Sequence, residues 1–176
     1  MLGGLDDYIA SQEGDITIVL HQMGNHGPSY YKRYPKEFEI YTPVCRSNQM
    51  ESCTREEINN AYDNALVYSD YFLSEVIDFL KPYSSEFSTG MFYMADHGES
   101  LGEMGLYLHG LPYALAPQAQ THVASFLWFG EMGASKRLAL NARAQQSLSH
   151  DNYFHTVLGM LDVDSQIYDP TLDIAA

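Results

Sequence analysis

The chain has 176 residues, 45% apolar and 18% charged, which supplies apolar surface for one domain with a core and excludes a chain disordered throughout. Nine Lys and Arg against 23 Asp and Glu give a formal net charge of −14. That balance excludes a non-specific nucleic-acid binder and docking on anionic lipid by surface charge alone. The longest apolar stretches, such as 125–129 (Ser-Phe-Leu-Trp-Phe), fall far short of the roughly 20 residues a membrane helix needs. No basic segment followed by an apolar run stands at the start, so the chain reads as a soluble piece.

In chain order, residues 15–20 (Asp-Ile-Thr-Ile-Val-Leu) are β-branched and apolar enough to predict a short strand buried on both faces. Cys45 and Cys53 then bracket a polar stretch. Two free thiols are more often scattered singly through a core, whereas a pair across a short polar loop suits a disulfide staple of roughly 2–3 kcal/mol. A disulfide here implies folding outside the cytosol. Thr54 and Glu57 form a capping box that opens a long helix. Ile58, Ala61, Ala65, Leu66, Phe72, Leu73, Val76, Ile77 and Leu80 supply its apolar face, and Pro82 with the serines after it ends it.

Residues 89–95 and 122–128 predict a second and a third strand. Residues 133–146 read as a mobile connection, and 151–161 as a last helix with Tyr153, Phe154, Val157, Leu158 and Leu161 towards the core. Strands alternating with helices predict an α/β layered fold with a largely parallel sheet, too narrow for a complete doubly wound domain. There is no internal repeat.

Ligands of open α/β sheets collect beyond the carboxyl ends of strands. The first strand runs into His21-Gln22-Met23-Gly24-Asn25-His26-Gly27-Pro28, and the second into Asp96-His97-Gly98-Glu99-Ser100-Leu101-Gly102-Glu103 and then Leu108-His109-Gly110. Neighbours on an extended strand point to opposite faces, so Asp96 and His97 share a ligand only once the strand has ended, and Gly98 permits the turn. A carboxylate with an imidazole is half of a tetrahedral zinc site; the same residues also suit a plain hydrogen-bonded turn. His26 and His109 each precede a glycine, which suits a second cation, a phosphate contact or a turn satisfied by backbone. Glu99 and Glu103 read as acceptors for imidazole N–H groups or as solvated acids. His122, His150 and His155 read as packing or capping residues, and Tyr30, Tyr31, Tyr34 and Tyr41 as a packed loop.

These motifs resemble those of a known family. His26-Gly27-Pro28 with Tyr31 and Arg33-Tyr34-Pro35 is followed by Thr42-Pro43-Val44-Cys45 and Tyr62-Asp63-Asn64-Ala65-Leu66. The long motif from Asp96 to Glu103, Tyr107-Leu108-His109-Gly110-Leu111-Pro112-Tyr113 and Ser149-His150-Asp151-Asn152 continue the series. Together they are similar to the lipid A phosphoethanolamine transferases, sulfatase-like members of the alkaline phosphatase superfamily, over nearly the whole chain. The resemblance implies a layered sheet with flanking helices, present only in part: residues 1–176 as the C-terminal portion of a periplasmic catalytic domain at the bacterial inner membrane. It implies Zn2+ as cofactor, phosphatidylethanolamine as donor and lipid A as acceptor, with weaker polymyxin binding as the result.

By motif, Asp96 and His97 correspond to zinc ligands, and His26 and His109 to histidines on the transferred phosphoryl group or a second zinc. Cys45 and Cys53 match one of the family's disulfides. The family's threonine nucleophile, a further glutamate ligand and the membrane helices lie upstream of the matched region, and Thr54 is no substitute for the first. The expectation is a piece that alone binds zinc weakly and does not transfer. A phosphoglycerol transferase or sulfatase of the same superfamily, or a metal-binding module without catalysis, are the alternatives.

Overall fold

The computed structural model describes residues 1–176, the side chain of Ser135 excepted, in two units, Met1–Gly130 and Glu131–Ala176. The first unit holds α1 (Leu5–Ala10), α2 (Arg55–Leu80), β1 (Gly90–Met94), β2 (Ser100–Leu101), β3 (Tyr107–Leu108), α3 (Gln118–Thr121) and β4 (Ser125–Phe129). The second holds α4 (Ala134–Arg143) and α5 (His150–Met160).

Helix α2 begins where the sequence predicts. Thr54 Oγ1 accepts from the Glu57 N–H at 3.2 Å and the Glu57 carboxylate accepts from the Thr54 N–H at 2.7 Å, which satisfies two donors that the first turn leaves open. Pro82 falls in the first turn of a 3-10 segment, Lys81–Ser85, so the chain keeps turning past the helix instead of breaking away. The buried face carries Ile58, Ala61, Ala65 and Val76 as expected, but also Asn64 and Ser69, while Leu66 stands outward, 53% exposed.

Asn64 is completely buried because every polar group of its amide has work to do. Its Oδ1 accepts from the N–H groups of Ile40 and Tyr41 at 2.9 and 2.8 Å, and its Nδ2 donates to the Tyr41 carbonyl at 2.9 Å. One amide thereby fixes an irregular segment against α2. The adjoining core consists of Tyr30, Cys45, Met50, Ile58 and Ala61, with Val44, Cys53, Tyr62, Leu101 and Leu108 packed on it. Cys45 and Cys53 are joined in a disulfide with Cα atoms 5.7 Å apart.

The sheet differs from expectation. β1 and β4 pair antiparallel, from Gly90↔Phe129 to Met94↔Ser125, and β2 pairs antiparallel with β3; among the described residues both sheets are two-stranded. The connection from β1 to β4 folds back through the β2–β3 hairpin and the short α3, not through a crossover helix, and so a parallel pair does not arise. Residues 15–20 form no strand. A strand exists only through its partner's hydrogen bonds, and among the described residues none pairs with this segment. Ile16, Ile18 and Leu20 find partial cover, whereas Val19 is 86% exposed.

In the second unit, the predicted mobile connection 133–146 contains α4. Its Ala, Leu, Lys and Arg residues are strong helix formers, and they outweigh the polarity that suggested a loop. α5 matches the last predicted helix to within a residue at each end and starts from a second capping box, Ser149 with Asn152. Its buried face centres on Thr156, whose hydroxyl donates to the Asn152 carbonyl at 2.6 Å and accepts from the Ile174 N–H at 2.9 Å. Tyr153, Phe154 and Leu161, expected inward, are 37%, 46% and 45% exposed.

Asn64→Ala strands two N–H groups and a carbonyl at once, and is expected to lower the stability of the first unit by about 2–4 kcal/mol in urea unfolding. Asn64→Asp is expected to be destabilising too, because an oxygen then faces the Tyr41 carbonyl.

Candidate metal centre

Three loops converge at one end of the first unit. Beyond β1, Ala95 N–H still donates to the Ala124 carbonyl at 3.1 Å, and then the chain leaves the sheet. Asp96 Oδ1 accepts the His97 N–H at 3.0 Å, and Gly98 N–H donates to the Gln120 carbonyl at 3.0 Å. Gly98 is needed for close approach, not for an unusual turn. A β-carbon there would lie 2.0 Å from the Ala119 carbonyl oxygen, and its φ is not among the positive ones. Beside it, buried Gln120 donates through Nε2 to the buried Ser100 hydroxyl at 2.9 Å, which fixes the start of β2.

The β2–β3 register pairs Ser100 with Leu108, so the residues flanking that pair, Glu99 and His109, stand together at the open end of the hairpin. Leu108 takes a φ of 65°, which a bulky residue seldom adopts, immediately before His109. Glu99 Oε1 lies 3.1 Å from His109 Nδ1 and accepts from the Gly27 N–H at 3.0 Å; Oε2 accepts from the Tyr30 hydroxyl at 3.1 Å. Asn25 Nδ2 ties the His26 loop to the Tyr62 carbonyl of α2 at 3.0 Å, and Asn25 Oδ1 accepts from the Ser69 hydroxyl at 3.0 Å. A β-carbon on Gly27 would fall 2.5 Å from Leu108 and 2.7 Å from the Tyr30 oxygen, so this loop also needs its glycine for closeness.

The result is a cluster of His26, His97 and His109, in which one ring nitrogen of each lies within 4.8 Å of the other two. The rings of His97 and His109 stack with centroids 3.8 Å apart, and that of His26 meets them edge-on at 5.8 and 4.9 Å. Each Nδ1 faces an oxygen that only accepts: the Gly27 carbonyl at 2.7 Å, the Gly98 carbonyl at 3.0 Å and Glu99. Those partners place the ring proton on Nδ1 and leave the lone pair on Nε2, the form in which imidazole binds a metal. Asp96 is 84% exposed, with Oδ2 3.9 Å from His97 Nε2. The donor set thus fits a divalent metal of borderline softness.

Of the residues singled out in the sequence, His26, His97, His109 and Glu99 are together and Asp96 is at their edge. Glu103 is elsewhere engaged: its carboxylate accepts the Leu101 N–H at 2.7 Å within the hairpin. Thr54 keeps its hydroxyl in the helix cap. His155 Nδ1 accepts from the Asp169 N–H at 3.0 Å, a packing role in the second unit. Tyr30 and Tyr34 are buried as a packed loop would have them, but Tyr41 is 45% exposed. The sequence reading missed Tyr30 as a donor to Glu99 and Gln120 as a clamp on Ser100. Burial and the charge of Glu99 raise the Tyr30 phenol far above its usual value near 10; burial also raises Tyr62 and Tyr93.

The Sulfatase family model matches residues 1–163, and the chain belongs to that family. It is 47% identical over 177 residues to phosphoethanolamine transferase EptA of Escherichia coli K12, an alignment covering 97% of this chain and 32% of EptA. It is 45% identical over 165 residues to phosphatidylethanolamine transferase Mcr-1 of Escherichia coli, covering 93% of this chain and 30% of Mcr-1. The C-terminal periplasmic domain of phosphoethanolamine transferase EptC from Campylobacter jejuni superimposes with a TM-score of 0.91 at 42% identity, covering 99% of this chain and 56% of that domain. The fold is therefore sulfatase-like, in part: the chain spans about a third of the length of the curated relatives it matches. Among the described residues, no helix is long and apolar enough to cross a membrane.

The raised phenol of Tyr30 has a measurable consequence. A group whose folded pKa lies above its unfolded value stabilises below the latter, and that stability drains away as pH climbs beyond it. Above pH ~10 the unfolded chain sheds the Tyr30 proton while the folded chain keeps it, costing up to about 1.4 kcal/mol per pH unit. Tyr30→Phe is expected to flatten this alkaline loss, as read by unfolding curves between pH 9 and 11, and to leave one fewer buried phenol in an ultraviolet titration.

Proposed function

We propose that the chain is the C-terminal, metal-holding portion of a phosphoethanolamine transferase that moves the head group of phosphatidylethanolamine to a phosphate of lipid A. The observation that carries this reading is the trio of imidazoles, each with Nδ1 committed to an acceptor and Nε2 open, in a chain 47% identical to part of a phosphoethanolamine transferase. Zinc is the metal that suits the site, with Asp96 and His97 as its ligands and His26 and His109 facing the transferred phosphoryl group or a second zinc. Bound there, zinc supplies positive charge to the non-bridging phosphoryl oxygens and lowers the pKa of an attacking hydroxyl.

The chain's own groups do the rest. Glu99 holds the His109 ring by its Nδ1–H and the His26 loop by the Gly27 N–H, so the two imidazoles keep one spacing when the phosphoryl group arrives. An Nε2 lone pair binds a cation; the same nitrogen, once protonated, donates to a phosphoryl oxygen. Exposed Asp96 lies on the side open to solvent, where a ligand can enter. In this reading the nucleophilic threonine and a further glutamate ligand belong to a longer protein. The hydroxyls of Thr54 and Thr156 are both spent inside the fold. The disulfide supports an oxidising compartment, the periplasmic face of the inner membrane. The ammonium of each phosphoethanolamine added to lipid A offsets negative charge and weakens polymyxin binding.

Zinc titration of the chain against a chromophoric chelator tests the site. His97→Ala and His109→Ala are each expected to weaken binding by roughly tenfold or more, and Glu99→Gln by about 10–100-fold through lost orientation of His109; unchanged affinity in all three would sink the assignment. The 176-residue chain alone is expected to show no turnover of a fluorescent phosphatidylethanolamine analogue. Put in place of the matching third of EptA, it is expected to restore phosphoethanolamine on lipid A, read by mass spectrometry, and to lose that activity with Asp96→Ala. Phosphoglycerol in the product would assign the rival chemistry instead.

A further inference from the structure

One peptide group of the site is held by a charged side chain at each end. The carbonyl of His26 accepts from Arg33 Nε at 2.8 Å. The amide in the same plane, Gly27 N–H, donates to buried Glu99 Oε1 at 3.0 Å. The His26–Gly27 peptide is trans, so its carbonyl and its N–H point in opposite directions. The guanidinium therefore meets the His26 loop on the side away from Glu99. Followed through the bonds between them, Nε and Oε1 lie at most about 8.4 Å apart.

Such a grip has a physical reason at this position. A peptide plane rotates most easily beside glycine, and Gly27 has no stiffer replacement, because a β-carbon there would fall 2.5 Å from Leu108. The carbonyl of Gly27 accepts the His26 Nδ1–H at 2.7 Å, so rotation at Gly27 moves the acceptor that orients the imidazole. A cation on the His26 carbonyl also draws electron density from the Gly27 N–H, which strengthens its bond to Glu99. Arg33 is itself anchored. Its N–H donates to the Tyr30 carbonyl at 2.9 Å, and the Tyr30 hydroxyl donates to Glu99 Oε2 at 3.1 Å. Guanidinium, carboxylate, phenol and two imidazoles are thus joined by hydrogen bonds that all lie within the first unit.

We propose that Arg33 is a positioning residue, whose guanidinium locks the His26–Gly27 peptide against Glu99 and thereby aims the His26 ring. Its bearing on the transferred phosphoryl group rests on the transferase reading above. The motif Arg33-Tyr34-Pro35 gains a task from this, since Arg33 follows the 3-10 turn Tyr30–Lys32 and the buried Tyr34 fixes the backbone after it.

Amide hydrogen exchange of the metal-free chain, followed residue by residue by NMR, is the test. Arg33→Ala is expected to speed exchange at Gly27 by roughly tenfold or more, while Tyr41, whose N–H is held by Asn64, keeps its rate. Arg33→Lys returns a cationic donor to the carbonyl and is expected to recover most of the protection. In the EptA chimera, Arg33→Ala is expected to lower kcat by roughly tenfold with KM changed by less than about twofold. Unchanged exchange at Gly27 would overturn the proposal, as would an Arg33→Lys chain no better protected than Arg33→Ala. Faster exchange at Gly27 and Tyr41 alike would make Arg33 a support of the whole fold and overturn it too. An active chimera whose kcat is indifferent to Arg33→Ala would do the same. No transfer by the parent chimera would overturn the transferase reading alone, and exchange at Gly27 would still decide the role of Arg33.

Discussion

The carboxylate of Glu99 is the contact on which the candidate site depends. It is almost wholly buried, and the charge it would otherwise leave unpaired is met by three donors from two other stretches of chain: the Gly27 amide and the Tyr30 hydroxyl from one, the His109 ring from the other. Removing a buried carboxylate from water is expensive unless such partners are in place, so the energy that satisfies Glu99 also fixes those two stretches relative to one another and to Glu99. The imidazoles of His26 and His109 inherit their spacing from that arrangement. His97 is positioned separately, through the backbone contact of Gly98 with α3.

Elements whose information is local were legible in the sequence. The Thr54–Glu57 box lies within one turn, and α2 starts there. β1 and β4 carry their own apolar runs, and both lie where those runs predict, within a few residues. Residues 15–20 carry an equally apolar run and form no strand, because ladder formation needs a partner that composition does not reveal. α4 shows the converse, since a polar stretch that looked like a connection is made of good helix formers. Antiparallel pairing could not be read either, because strand direction follows from how the 95–124 connection folds.

The site was legible to the same limit. Histidines before glycines and the Asp96-His97-Gly98 run stand out by type and spacing, and the structure brings the three imidazoles together. Gly98 gives room for a neighbouring carbonyl, whereas its residue type suggests freedom to turn. Tyr30 was hidden among aromatic residues of a packed loop, since a phenol's partner about seventy positions away leaves no local mark. The clamp of Gln120 on Ser100 is invisible for the same reason.

Gly98 has one more consequence. The space its missing β-carbon would fill is held by the oxygen of Ala119, so two strings of peptide touch there without any side chain between them. A single added methyl would act as a wedge, prising the aspartate–histidine corner from the short helix that backs it. Shape at this corner is therefore guarded by the smallest residue, and drift in sequence there has almost no room to operate.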